Sequence, residues 1–257
     1  MRHAGLAVLV LASASAAQPV SLPLAAAPTG HAAAFFFDLT SLTSDPYFIS
    51  HLCLRIDAPA GTQVTLTAWT RPGTHAGNTA SSIGWTGGVT SFTVPAAGPS
   101  AQTCFTVQFS DPFILIPASQ TTGVMLMLAS QASAIGFSSV PPAAASYANA
   151  TLRLDAGPAA DAPGFGAAVL EPVAPLAGVL TYYAYEACPA YANCDQSRIK
   201  PALNVNDFIC FNEVYAAGCF GTGPCRANCD ESTTPPILNV LDFICFLNKF
   251  ALGCAGP

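Results

Sequence analysis

Residues 228–248 read NCDESTTPPILNVLDFICFLN, and this stretch decides how the chain divides. Short oxygen-bearing side chains fill its first part, and a run rich in Phe and Leu follows. A matching stretch, NCDQSRIKPALNVNDFICFNE, occupies residues 193–213, 35 residues earlier. A repeat that aligns position by position is a strong signal of two equivalent structural units. We therefore predict a C-terminal module over residues 188–257, built from two loop-helix copies at 193–219 and 228–254.

The start of each copy has the pattern of a calcium loop. Such a loop needs hard oxygen ligands at alternating positions and then a carboxylate where a helix begins. The candidate ligands are Asn193, Asp195, Ser197, Asn204 and Asp207 in the first copy, and Asn228, Asp230, Ser232, Asn239 and Asp242 in the second. Each loop has only two carboxylates in ligand positions, and at 15 residues it is longer than the EF-hand loop, so we expect weak affinity. The alternative is that these side chains only cap helices and form Asx turns.

An apolar stripe follows each loop and predicts two short helices that pack on each other. Its members are Phe208, Phe211 and Tyr215 in the first copy, and Phe243, Phe246, Leu247 and Phe250 in the second. Gly218 and Gly253 are placed to end the two helices.

Cysteine is concentrated in the same module. Eight of the ten cysteines lie there: Cys188, Cys194, Cys210, Cys219, Cys225, Cys229, Cys245 and Cys254. A module this small has little core of its own, and disulfides are its usual support. The module has no CxxC pair and no His, which argues against zinc. Eight cysteines allow 105 pairings, so the connectivity stays open.

The N-terminus, MRHAGLAVLVLASASAAQPV, predicts a secretory signal peptide over residues 1–17, cleaved after Ala17. Its apolar run is too short to span a bilayer, and no later apolar run is long enough either. Abundant cysteine also fits an oxidising, exported setting. We therefore expect a secreted, periplasmic or cell-surface protein without a transmembrane segment.

Residues 18–187 predict a mainly β domain. Segments such as HLCLRID (51–57) and QVTLTAW (63–69) alternate apolar and polar side chains, and Gly- and Pro-containing pairs separate them. Many short strands with regular turns favour a β-sandwich of the jelly-roll or immunoglobulin-like kind. Cys53 and Cys104 lie on the polar faces of their strands. A bridge between neighbouring strands or at a strand end is favoured over two free thiols.

Composition argues against several functions. The net charge of −6 makes nucleic acid and anionic lipid poor partners. The chain contains no G-x-S-x-G, HExxH, P-loop or dinucleotide-binding motif, so we predict no catalytic residues and no enzyme. His51 and nearby Asp57 are interpreted as surface residues. Trp69, Trp85 and Tyr147 could line a glycan-binding face, but core or rim positions are the favoured interpretation.

The two NCD-x-S…LNV-x-DFICF runs, closed by Gly218-Cys219 and Gly253-Cys254, resemble type I dockerins. They are more similar still to the Cys-rich GC-type dockerin-like domain at the C-termini of exported bacterial proteins. The resemblance covers residues 188–257 and implies calcium as the cofactor, with the ten candidate ligands above. It also implies an anchoring or sorting tail with a cell-surface partner. Val205-Asn206 and Val240-Leu241 stand where cellulosomal dockerins usually have polar recognition residues. A cohesin-binding subunit with a glycan-binding or polysaccharide-acting β-domain is the alternative.

Overall fold

The computed structural model describes residues 19–24, 29–106, 114–129, 134–137, 146–188, 190–218, 225–233 and 235–255. The chain divides into two compact units, which we call the front unit (Gln18–Glu186) and the tail (Ala187–Pro257). The predicted signal peptide and Cys219 lie outside the described residues. Among the helices of the described residues, none is long and apolar enough to cross a membrane.

Strands make up the front unit. In the part of the chain that the structure describes they are β1 (Val20–Pro23), β2 (Gly30–Ala32), β3 (Ala34–Ser41), β4 (Tyr47–Asp57), β5 (Gln63–Pro72), β6 (Thr86–Pro95), β7 (Gln102–Thr106), β8 (Leu115–Ile116), β9 (Thr121–Leu128), β10 (Ala134–Phe137), β11 (Ser146–Ala148), β12 (Leu152–Ala160), β13 (Val169–Glu171) and β14 (Gly178–Ala184).

These strands form two antiparallel sheets. The first has the order β1-β14-β4-β10-β2, and β7 and β8 also pair with β4. The second has the order β11-β12-β3-β9-β5-β6, and β13 pairs with β12. Many neighbours in these sheets are distant along the chain, so the sheets depend on long-range pairing. The mainly β prediction for this region is confirmed.

Alternating side chains explain the single main core that the two sheets share. In β4, Leu52, Leu54 and Ile56 are buried, and the residues between them are at least partly exposed. Phe35 of β3 and Leu126 of β9 belong to the same buried cluster from the second sheet. These three strands therefore have one face towards the main core, as the period of two requires.

A second, smaller apolar cluster explains where the tryptophans lie. Phe36 and Met125 alternate with residues of the main core on β3 and β9, and they pack with Trp85. Trp69 and Phe165 pack against the same cluster, with their ring centroids 5.4 Å apart. Tyr147, by contrast, packs against the main core. All three tryptophan and tyrosine candidates are thus core or rim residues.

Cys53 of β4 and Cys104 of β7 face each other directly in neighbouring strands and form a disulfide. The bridge that the sequence favoured between neighbouring strands is therefore present. It links residues 51 positions apart.

The tail contains helices α1 (Val205–Ala217) and α2 (Val240–Leu252), and a 3₁₀ turn follows at Gly253–Ala255. The rings of Phe211 and Phe246 stack with centroids 4.2 Å apart. Four residues of the predicted apolar stripe pack around this pair, namely Phe208, Tyr215, Phe243 and Phe250, and Val214 packs with them. The two helices therefore share one small aromatic core.

Leu247 is a correction to the predicted stripe, because its side chain is 41% exposed. One residue adds about 100° around a helix. Leu247 consequently lies beside the exposed Val240 and Ile244, whereas Phe246 points into the core.

Disulfides close the tail at three described places. They join Cys188 to Cys254, Cys194 to Cys210, and Cys229 to Cys245. The last two occupy equivalent positions in the two copies. Cys225 is also disulfide-bonded.

Candidate metal centre

Both helices of the tail begin with the same capping arrangement. The side chain of Asn204 accepts a hydrogen bond of 2.8 Å from the backbone N–H of Asn206. The side chain of Asn239 accepts one of the same length from Leu241. These bonds satisfy donors that a helix N-terminus otherwise leaves free. Two of the ten predicted ligands thus have a structural role that requires no cation.

The carboxylates that close the loops are fully buried. Oδ2 of Asp207 accepts a bond of 2.8 Å from the backbone N–H of Asn204, and its Oδ1 accepts one of 3.3 Å from that of Asp195. Asp242 makes the same two bonds, 2.8 and 3.3 Å long, with Asn239 and Asp230. Each closing carboxylate therefore joins the start of its helix to the start of its loop.

A second carboxylate lies against each of these buried ones. Burial, reinforced by the neighbouring carboxylate of Asp195, raises the pKa of Asp207 to about 6. In the second loop the backbone N–H of Ser232, with smaller contributions from other bonds, lowers the pKa of Asp230. Two adjacent carboxylates repel each other unless a proton or a cation lies between them. A divalent cation bound between the two carboxylates would relieve this repulsion.

The first ligand position differs between the loops. Asn193 is only 6% exposed, and its Oδ1 is buried without a hydrogen-bond partner. Asn228 Oδ1, in contrast, accepts a bond of 3.0 Å from the backbone N–H of Ser232. An unpartnered buried oxygen is costly for a fold to retain. It is the feature of this structure that best fits coordination of a cation.

The donor set fits calcium better than a transition metal, because it consists of carboxylate, amide and hydroxyl oxygens. Among the described residues, no group of three His, Cys, Asp or Glu side chains is arranged to hold a metal ion. Each candidate loop has two carboxylates in ligand positions, so amide oxygens would have to complete the coordination. In the first loop Asn193, Asp195 and Asp207 are suited to hold calcium. Ser197 Oγ instead accepts a bond from the backbone N–H of Ile199.

The sequence did not single out the residues that connect the two copies. Nη2 of Arg226 donates to the backbone oxygen of Asn193 at 3.2 Å, and the hydroxyl of Tyr191 donates to the backbone oxygen of Arg226. The ammonium group of Lys249 lies 4.5 Å from the ring centroid of Tyr191. Tyr191 and Arg226 each stand two residues before an NCD run. This shared position relative to the repeat is the sequence feature that could have indicated their role.

The front unit contains a buried Asp–His pair that sequence reasoning also missed. Nδ1 and the backbone N–H of His75 both lie 2.8 Å from Oδ1 of Asp38, and the hydroxyl of Thr74 donates to Oδ2 at 2.6 Å. Burial alone would raise the pKa of Asp38, but these hydrogen bonds outweigh it and hold the pKa below its usual value of 3.8. The pair attaches the segment after β5 to β3.

The other described histidines belong to the front unit, where His31 is exposed and His51 is partly exposed. Nδ1 of His51 is 3.0 Å from the hydroxyl of Ser50, and Asp57 lies 4.0 Å from His31 instead. The interpretation of His51 and Asp57 as surface residues agrees with this geometry.

Comparison with known proteins adds no family to this description. No protein-family model matches the chain, and no curated protein matches it either.

Proposed function

We propose that this chain is an exported, non-enzymatic protein whose β-sandwich front unit is tethered or sorted by a disulfide-rich, calcium-binding, dockerin-like tail. The observation that carries the proposal is the pairing of carboxylates in both tail loops, together with the unpartnered oxygen of Asn193. Calcium would neutralise these pairs and rigidify each loop against the helix that follows.

The disulfides support the proposed location outside the cell. Four bridges join described cysteines, which fits an oxidising extracellular environment. We assign retention at the cell surface to the tail, because it is a separate compact unit with its own small core.

The front unit supports a sandwich of the jelly-roll or immunoglobulin-like kind, because two antiparallel sheets share one core. Its buried Asp–His pair is used to attach a loop to a strand, which supports a non-enzymatic role. A hydrolase activity screen against polysaccharides tests this part of the proposal, and turnover by the purified front unit would contradict it.

The test of calcium binding is isothermal titration of the oxidised full chain, paired with thermal melting in millimolar calcium and in chelator. We expect heat of binding and a higher melting temperature in calcium. If neither appears, the tail is not a calcium module.

The test of tethering is fractionation of cells that produce either the full chain or a form ending at residue 187. We expect the full chain on the cell surface and the shortened form in the medium or the periplasm. Identical distributions would reject the tethering role.

A second candidate function is binding of a cohesin-like partner. The outer face of α2 favours it, because Val240, Leu241, Ile244 and Leu247 are 66%, 56%, 46% and 41% exposed. Exposed apolar faces of this kind are typical of protein interfaces. A pull-down with the wild-type chain and with Leu241→Asp would support this alternative if a single surface protein is retained by the wild type alone.

A further inference from the structure

The amide group of Asn193 is fixed in orientation by its own donors. Its Nδ2 donates to the backbone oxygens of Cys188 and Ser197, and both distances are 2.9 Å. Only a nitrogen can make both bonds, so the remaining atom is the carbonyl oxygen Oδ1. That oxygen is buried and has no partner. The first loop therefore holds an acceptor ready for a cation.

The second loop has already satisfied the equivalent acceptor. The backbone N–H of Ser232 donates to Oδ1 of Asn228 and to Oδ1 of Asp230, and both distances are 3.0 Å. In the first loop the N–H of Ser197 donates to Asp195 Oδ1 at 2.8 Å. A cation that coordinates the amide oxygen of Asn228 has to share that oxygen with an existing hydrogen bond, whereas the amide oxygen of Asn193 accepts none.

We propose that the first loop is the principal calcium site and that the second loop binds calcium more weakly. This inference rests on the proposed calcium-binding function of the tail. It assigns unequal roles to two loops whose sequences are closely similar.

Charged side chains near the loops favour calcium binding at the second loop instead. Arg198 and Lys200 lie in the first loop, and Arg226 donates to the backbone oxygen of Asn193, whereas the second loop has the additional carboxylate of Glu231. Lys200, Arg226 and Glu231 are exposed. Exposed charges are screened over about 8 Å at physiological salt, while a ligand atom in direct contact is not. The first loop's preference for calcium should therefore widen as salt concentration rises.

Asp195→Asn and Asp230→Asn are a matched pair of variants for the test. Both carboxylates are exposed, and in both variants an amide oxygen remains to accept the serine N–H. The readout is isothermal titration of the oxidised full chain with CaCl₂, at low and at physiological salt. We expect Asp195→Asn to weaken the tighter binding event by about tenfold or more, as loss of a metal-site group typically does, and Asp230→Asn to leave that event nearly unchanged.

A measurement on the wild-type chain does not depend on how the variants fold. In a calcium titration followed by amide NMR, the resonances of Asn193 and Ser197 should shift before those of Asn228 and Ser232. Equal or greater weakening by Asp230→Asn, or earlier shifts in the second loop, would overturn the inference and leave calcium binding intact. Absence of any calcium binding by the wild type would overturn both.

Discussion

Asp38 shows how single polar residues are used in this protein. Its carboxylate receives bonds from the backbone and ring of His75 and from the hydroxyl of Thr74, although these residues are 36 and 37 positions away. The ring of His75 also fills the space beside Gly157, where an added Cβ would overlap Nε2. An ionised acid inside a fold persists only when it is fully paired. The carboxylate therefore has a structural role, because it holds the segment at Thr74 and His75 against β3.

We expect Asp38→Asn to destabilise the front unit at neutral pH by about 1–3 kcal/mol, because hydrogen bonds to an ionised group are lost. The folded-state pKa of Asp38 lies below 3.8, so its stabilisation is present above that value and is lost as pH falls through the lower, folded value. The difference in the free energy of unfolding between wild type and variant should consequently shrink on acidification. Urea unfolding at neutral and acidic pH measures it.

Asp57→Asn is the control for that experiment, because the side chain of Asp57 is 54% exposed and only 4.0 Å from a half-exposed His31. Exposed ion pairs contribute little. A difference for Asp38→Asn that stays constant with pH would show that its ionisation is not what stabilises the fold.

At the scale of elements, α1 and α2 depend on contact between their aromatic faces. Phe211 and Phe246 stack, and both are essentially inaccessible to solvent. Short isolated helices are marginal in water, so tertiary packing and caps have to stabilise them. The bridges from Cys194 to Cys210 and from Cys229 to Cys245 tie each helix to its own loop.

Phe246→Ala should destabilise the tail by about 3 kcal/mol or more, since it removes a buried ring. Its neighbour Leu247 is 41% exposed, so Leu247→Ala should change stability by less than about 0.5 kcal/mol. Helical circular dichroism during denaturation of the full chain follows the tail. Equal effects of the two substitutions would show that the buried face of α2 has been assigned incorrectly.

At the scale of the whole molecule, two units use different means of stabilisation. The front unit has a core of many large apolar side chains drawn from two sheets, with one described bridge. The tail has a small aromatic core and three described bridges, one of which joins Cys188 near its start to Cys254 near its end. Small units commonly need covalent support of this kind.

Reduction should consequently unfold the tail well before the front unit. In reducing buffer we expect loss of helical circular dichroism at low temperature, followed by a separate cooperative transition of the strands. Removal of a native disulfide from a small domain typically costs about 2–5 kcal/mol, which the tail cannot offset. A single transition, unchanged by reductant, would contradict this division.

A shortened chain that covers residues 18–187 should fold without the tail. We expect cooperative melting close to that of the front-unit transition in the full chain. If the shortened form aggregates or melts without cooperativity, the boundary near residue 187 is wrong and the tail contributes to the front unit's fold.

Local patterns in the sequence were sufficient for several features. Alternation in segments such as 51–57 predicted strands, because the strand period of two is set by backbone geometry. The repeat at an offset of 35 residues predicted two short helices, and the observed helices begin at Val205 and Val240. The oxygen-rich positions before them predicted loops closed by Asp207 and Asp242. All of these signals lie within one element or repeat at a fixed spacing.

Tertiary structure alone decided which distant groups meet. It joined Cys188 to Cys254, brought His75 to Asp38, turned Leu247 outwards, and left the oxygen of Asn193 without a partner while that of Asn228 has one. These outcomes depend on the path of the chain between the groups and on burial, and neither is encoded at a fixed spacing. Two loops with the same candidate ligands therefore differ in their hydrogen bonding, and only the folded structure shows which oxygen each backbone N–H reaches.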